Sequence, residues 1–304
     1  MNGDAHDEDA TNAYQALAGT IDHDDPRWAF GTGFEDMEAD LTAPVPDGAA
    51  PADLAAYCLM LGDDALVYSH RLTEWVSNAP ELEEEVALAN TALDLLGQAR
   101  VLLARAGHVE GAGRDEDALA YWRDVAEFRC VGLAEPSDDG DYARAIARLL
   151  VFSTWRLALL NRLQDSADPV VAAVAAKGVK EVTYHRDHAA RWTLRLGDGT
   201  AESHTRMQDA LEWVWPFLGE LFRTTEQERR LVAAGVAVDP AEVRDEVDTV
   251  LDQVLTRATL ARPEVPEMGT IGGRGGRHGV HTEKLEHALV VMQSLARKHP
   301  EASW

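Results

Sequence analysis

Leu54, Cys58, Leu61, Ala65, Tyr68, Leu72 and Trp75 follow one another at alternating steps of four and three. That spacing keeps all of them on one face of an α-helix and is incompatible with the alternation of a strand. The pattern breaks at Asn78-Ala79-Pro80 and resumes after Glu81 to Glu85, carboxylates placed where a helix dipole favours negative charge. Val86, Ala89, Leu93, Leu96 and Leu103 then predict the buried face of a second helix ending at Gly107.

Further on, a short helix is expected through Tyr121 and Phe128, then a loop at 136–140 and a third long helix from Asp141 to about Gln164. Asp168-Pro169 combines an N-cap with proline at the first helical position. The helix it opens is expected to bury Val171, Val174, Gly178, Val182, His185, Ala189 and Trp192, and to stop at Gly197. A helix kinked near Pro216 runs from Ser203 through Phe222, with Trp213 and Trp215 in its packing. Asp239 and Glu242 resemble a capping box opening a helix to about Leu260, and Thr282 starts a last one reaching Arg297. No segment alternates convincingly, so the fold class is all-α. The hairpins 52–106 and 141–197 pair into an antiparallel four-helix core with additional C-terminal helices.

Residues 1–50 read differently: acidic, broken by Gly and Pro, with Arg27 as the basic residue and Trp28, Phe30 and Phe34 as an aromatic cluster. The expectation is a disordered tail ahead of a helical domain at 51–304. With 28 Lys and Arg against 53 Asp and Glu, the formal charge of -25 argues against nucleic acid and against an anionic membrane surface. No run reaches the ~18 consecutive apolar residues of a membrane span, and no signal peptide is visible, so a cytoplasmic location is expected. Cys58 and Cys130 lack partners at metal or redox spacing and read as buried thiols.

Large helical bundles often house a di-iron centre built from Glu residues and two Glu-x-x-His pairs, whose i, i+3 spacing aims both side chains at one metal. That motif is absent here. Near its expected place stand Asn90, Asp94, Gly97 and Gln98 on the second helix, Glu181 and His185 on the fourth, and Asp64 beside the first stripe. Glycine follows Asp94 where histidine would serve, and His185 lies one position late after Glu181. Asp64, Asn90, Asp94, Glu181 and His185 are therefore expected to form a buried polar network, the remnant of a metal site, with no metal bound by this chain. The loop Gly272 to Gly279 carries Arg274, Arg277 and His278, candidate contacts for an anionic ligand or an acidic partner.

Leu61-Gly62-Asp63-Asp64, Arg71-Leu72-Thr73-Glu74-Trp75, Asn78 to Glu83, and above all Leu93-Asp94-Leu95-Leu96-Gly97-Gln98-Ala99-Arg100 resemble the structural subunits of phenylacetyl-CoA epoxidases, in the phenylacetic acid catabolic protein family. The likeness continues through Tyr184-His185, Gly235 to Pro240, His281-Thr282-Glu283 and Trp304, covering about residues 52–304. The resemblance implies a ferritin-like fold and a subunit that is not an enzyme on its own, and it makes coenzyme A phosphates the candidate anion for Arg274, Arg277 and His278. It would pair with a di-iron catalytic subunit, a small additional subunit and a reductase that carries FAD and an iron–sulfur cluster and draws on NADPH. A metal-binding ferritin-like enzyme using Asp64, Asp94, Glu181 and His185, or a stand-alone acidic binding module, are the alternatives.

Overall fold

The computed structural model describes residues 40–302, and among these the architecture is all-α, with no β-strand beyond an isolated bridge between Ile271 and Arg274. Helix α1 spans Pro51–Thr73 and α2 Leu82–Glu110; after the short α3 (Glu116–Tyr121), α4 spans Tyr142–Leu163 and α5 Pro169–Gly197. Helix α1 packs along α2, α4 along α5, and α2 closes against α5, which makes the four-helix core. The remaining helices wrap it: α6 (Ala201–Val214) and the one-turn α7 (Leu218–Leu221) beside α4, α8 (Glu226–Ala233) on α1, α9 (Arg244–Arg257) on α4 and α5, and α10 (Glu283–Lys298) on α1 and α3. This arrangement is consistent with a ferritin-like bundle.

Local chemistry explains the boundaries. Every residue of the α1 stripe from Leu54 to Trp75 is buried. Asp168 caps α5 by accepting from the amides of Val170 and Val171, with Pro169 inside the first turn. Gly111 ends α2 at a φ of 68°, a left-handed conformation open to glycine without strain, four residues past the expected stop. Pro216 turns the chain through a 3₁₀ segment, Trp215–Phe217, between α6 and α7. Asp239 caps only Ala241 and opens a 3₁₀ turn, Pro240–Val243, before α9, so the expected box with Glu242 is half formed.

Two expectations change. On α2 the core face is Leu88, Ala92, Leu95, Ala99 and Leu102, whereas Val86, Leu93 and Leu96 are exposed. Both sets step by four and three, so periodicity alone could not choose between them. The same doubling makes α2 long and apolar enough to pass for a membrane span by length and composition, with half of its most apolar window buried in the protein. Secondly, the chain before α1 is anchored from residue 40 onward. Arg105 donates to the carbonyls of Leu41 and Ala43 at 2.8 and 2.7 Å. Trp28, Phe30 and Phe34 lie outside the described residues.

Candidate functional site

Adjacent positions on a helix point about 100° apart, so Asp63 and Asp64 face different neighbours although both are fully buried on α1. Asp63 pairs with Arg123, whose Nη1 lies 3.0 Å away, and accepts from the amide of Arg129 at 2.7 Å. Asp64 takes both terminal nitrogens of Arg277, at 2.9 and 2.8 Å, and the amide of Val131 at 2.8 Å. Arg277 also donates to the carbonyls of Met60 and Arg129. The two carboxylates therefore pin the irregular segments 123–131 and 276–278 to the bundle.

A second group lies between α1, α2, α4 and α5. Arg156 on α4 is fully buried, donates through Nε to Gln98 Oε1 at 3.0 Å and faces the carbonyl of Leu61 with both terminal nitrogens at 3.4 Å. Gln98 passes the link on, its Nε2 donating to Glu181 Oε2 at 2.8 Å. Gly178 makes room for this amide: a Cβ there would stand 2.9 Å from Leu160 Cδ1 and 3.2 Å from Gln98 Nε2. Burial draws the Arg156 guanidinium down to about 10, with Asp64 pulling the other way. Burial likewise raises the Glu181 carboxyl, opposed by the Gln98 hydrogen bond. Next to it, His185 Nε2 meets Asp94 Oδ2 at 2.9 Å.

Of the residues read from sequence, Asp94 and His185 thus meet directly, Glu181 joins them through its field, and Asp64 reaches the group through the charge of Arg156. Asn90 is exposed and apart from it. Arg277 is an internal strut, while Arg274 and His278 are exposed, with Arg274 Nη2 donating to the His278 carbonyl. Arg223, Arg277 and His278 line a cavity of about 340 Å³ together with Glu220.

These residues do not fit a di-iron centre. Metal ligands must be free, anionic or imidazole donors converging on one point. Here Asp64 is committed to Arg277, Glu181 to Gln98, and a buried guanidinium stands among the carboxylates as their positive charge. Among the described residues one group, Cys130, Glu135 and His281, brings three ligand-type atoms close together. Its atoms are already engaged: His281 meets Glu135 Oε1 at 2.8 Å and the Phe128 carbonyl at 2.9 Å, and Thr282 donates to Glu135 from its amide and hydroxyl. Burial pushes the Cys130 thiol well up, which disfavours the thiolate a metal needs.

The sequence reading missed four fully buried arginines: Arg105 paired with Asp168, Arg123 with Asp63, Arg148 with Asp138, and Arg156. A signal existed, since Arg148 and Arg156 flank Phe152 on the apolar face of α4, and charge at core positions demands a buried partner.

Two histidines give the bundle a pH dependence. Burial holds His70 and His188 below the ordinary imidazole value of 6.5, against the opposing pull of Glu74 and Glu84 respectively. The unfolded chain therefore takes up protons that the folded chain resists. Their stabilising contribution is complete above pH 6.5 and is lost as the pH falls through the lowered folded values. Glu181 has the opposite sign: its contribution is present below 4.5 and is lost as the pH rises through its raised value. The urea midpoint is expected to fall between pH 7 and 5.5, and to fall less in the His70→Gln, His188→Gln double variant. An unchanged slope in that variant refutes the assignment.

Residues 41–304 match the family model described as phenylacetic acid catabolic protein. The chain is 43% identical over 251 residues to the C subunit of the 1,2-phenylacetyl-CoA epoxidase of Escherichia coli (strain K12), covering 83% of this chain and 99% of that relative. The chain therefore belongs to the phenylacetic acid catabolic protein family.

Proposed function

We propose that this chain is the accessory, non-catalytic subunit of a multicomponent oxygenase that epoxidises the ring of phenylacetyl-CoA. It holds a di-iron catalytic subunit in a working assembly, alongside a small additional subunit. Electrons arrive from NADPH through a reductase with FAD and an iron–sulfur cluster. One observation carries the reading beyond the likeness to the bacterial epoxidase subunit: the interior that would carry a metal is filled by the Arg156–Gln98–Glu181 chain and the Asp64–Arg277 pair. Such a core fixes helix register and loop position, which suits a rigid support.

The test is reconstitution. Co-expressed with the catalytic subunit, this chain is expected to purify as a stoichiometric complex, and phenylacetyl-CoA turnover is expected only when both chains and the reductase are present. Turnover by this chain with reductase alone contradicts the reading, as does failure of the two chains to associate.

A further inference from the structure

Helix α2 carries a second apolar stripe that faces away from the core. Leu82, Val86, Ala89, Leu93 and Leu96 follow at steps of four, three, four and three, so all stand within about 40° of one line along the helix. Leu82 is 71% exposed, Val86 45%, Leu93 43% and Leu96 41%. A helix apolar on both faces is ordinarily buried on both. A contiguous exposed apolar stripe on a water-soluble surface marks a contact site.

The spacing says what covers it. Alternating fours and threes is the heptad seam, which accepts the side chains of another helix between its own. Charge then selects among helices. Glu81, Glu83, Glu85 and Asp94 flank the stripe, and Arg100 is the exposed basic residue at its far end. A second copy of this chain would bring together two bodies of formal charge -25 and set those carboxylates against little positive charge. The chain's own first 39 residues are acidic, with Arg27 as their basic residue, and suit the stripe no better. An anionic membrane meets the same repulsion.

We infer that the outward face of α2 is the docking surface for the catalytic subunit, and that it receives an α-helix of that chain with an apolar heptad seam flanked by lysines or arginines. This inference rests on the function proposed above, and its test separates the two. The wild-type chain, the Val86→Glu, Leu93→Glu double variant, and a control Val290→Glu, Val291→Glu double variant on exposed positions of α10 are each co-expressed with the catalytic subunit and analysed by size-exclusion chromatography with light scattering. The wild type and the α10 control are expected to form the complex. The α2 variant is expected to lose at least tenfold in affinity, while its thermal midpoint as an isolated chain stays within a few degrees of wild type. A complex that survives the α2 substitutions overturns this inference and leaves the proposed function standing. Absence of a complex with the wild-type chain overturns the proposed function, and this docking surface with it. Self-association of the wild-type chain that the α2 substitutions abolish, with the complex intact, assigns the stripe to a second copy and also overturns the inference.

Discussion

Asp64→Ala is expected to lower unfolding stability by about 3–5 kcal/mol, because it leaves two buried guanidinium groups, Arg277 and Arg156, without the carboxylate that offsets their desolvation. Against the ~5–15 kcal/mol typical of a folded domain, that loss brings the chain close to its threshold. Urea titration at pH 7 measures it. Arg277 would also release its hold on the Met60 and Arg129 carbonyls, so proteolysis should find the 268–282 loop first. Replacing both partners with apolar residues, Asp64→Leu with Arg277→Met, is expected to recover part of the loss, since a missing pair costs less than half a pair. A cost below about 1 kcal/mol for Asp64→Ala is inconsistent with a fully desolvated pair.

Asp168→Ala is expected to be comparably severe for two separable reasons. One carboxylate oxygen caps α5 through the amides of Val170 and Val171, and the other receives Arg105 at 2.6 and 3.2 Å. Loss of the cap costs about 1 kcal/mol, and isolation of the buried Arg105 adds about 3–5 kcal/mol. Asp168→Asn keeps an acceptor for the cap and loses the charge, so it should retain the cap's share only. The difference between the two variants measures the cap. Equal stability of Asp168→Asn and wild type shows that Arg105 is satisfied by the Leu41 and Ala43 carbonyls alone.

The bundle was legible where local signals agreed. On α1 and α5 a single apolar stripe and a terminal breaker pointed to one helix each, and on α4 and α5 a capping aspartate, Asp141 and Asp168, marked the start. On α2 two stripes of equal quality competed, and only the tertiary arrangement decided that Leu88, Leu95 and Leu102 go inside. The α8 helix, Glu226–Ala233, was overlooked although Thr225 and Glu228 form a full capping box, each side chain meeting the other's amide. The absence of Glu-x-x-His can be read directly from the sequence, because that motif is local.

What replaced it was not legible, because its parts come from distant segments. Asp64 and Arg277 are 213 residues apart, and Gln98 and Glu181 are 83 apart. Periodicity can place a carboxylate on a face but cannot name the cation that meets it. Asp94 with His185 came closest, as both were identified and their contact is direct. Arg277 illustrates the reverse: in a loop rich in glycine it reads as an exposed cation, and the fold turns it inward to Asp64.

Guanidinium–carboxylate chemistry holds this interior together, and we propose that it does so without a metal. Elemental analysis of the chain expressed alone in iron-rich medium tests that claim most directly. Far less than one iron per chain is predicted, unchanged by Glu181→Gln or Asp94→Asn. Near-stoichiometric iron that is lost in either variant would contradict it and make this chain a metal-binding oxygenase component in its own right.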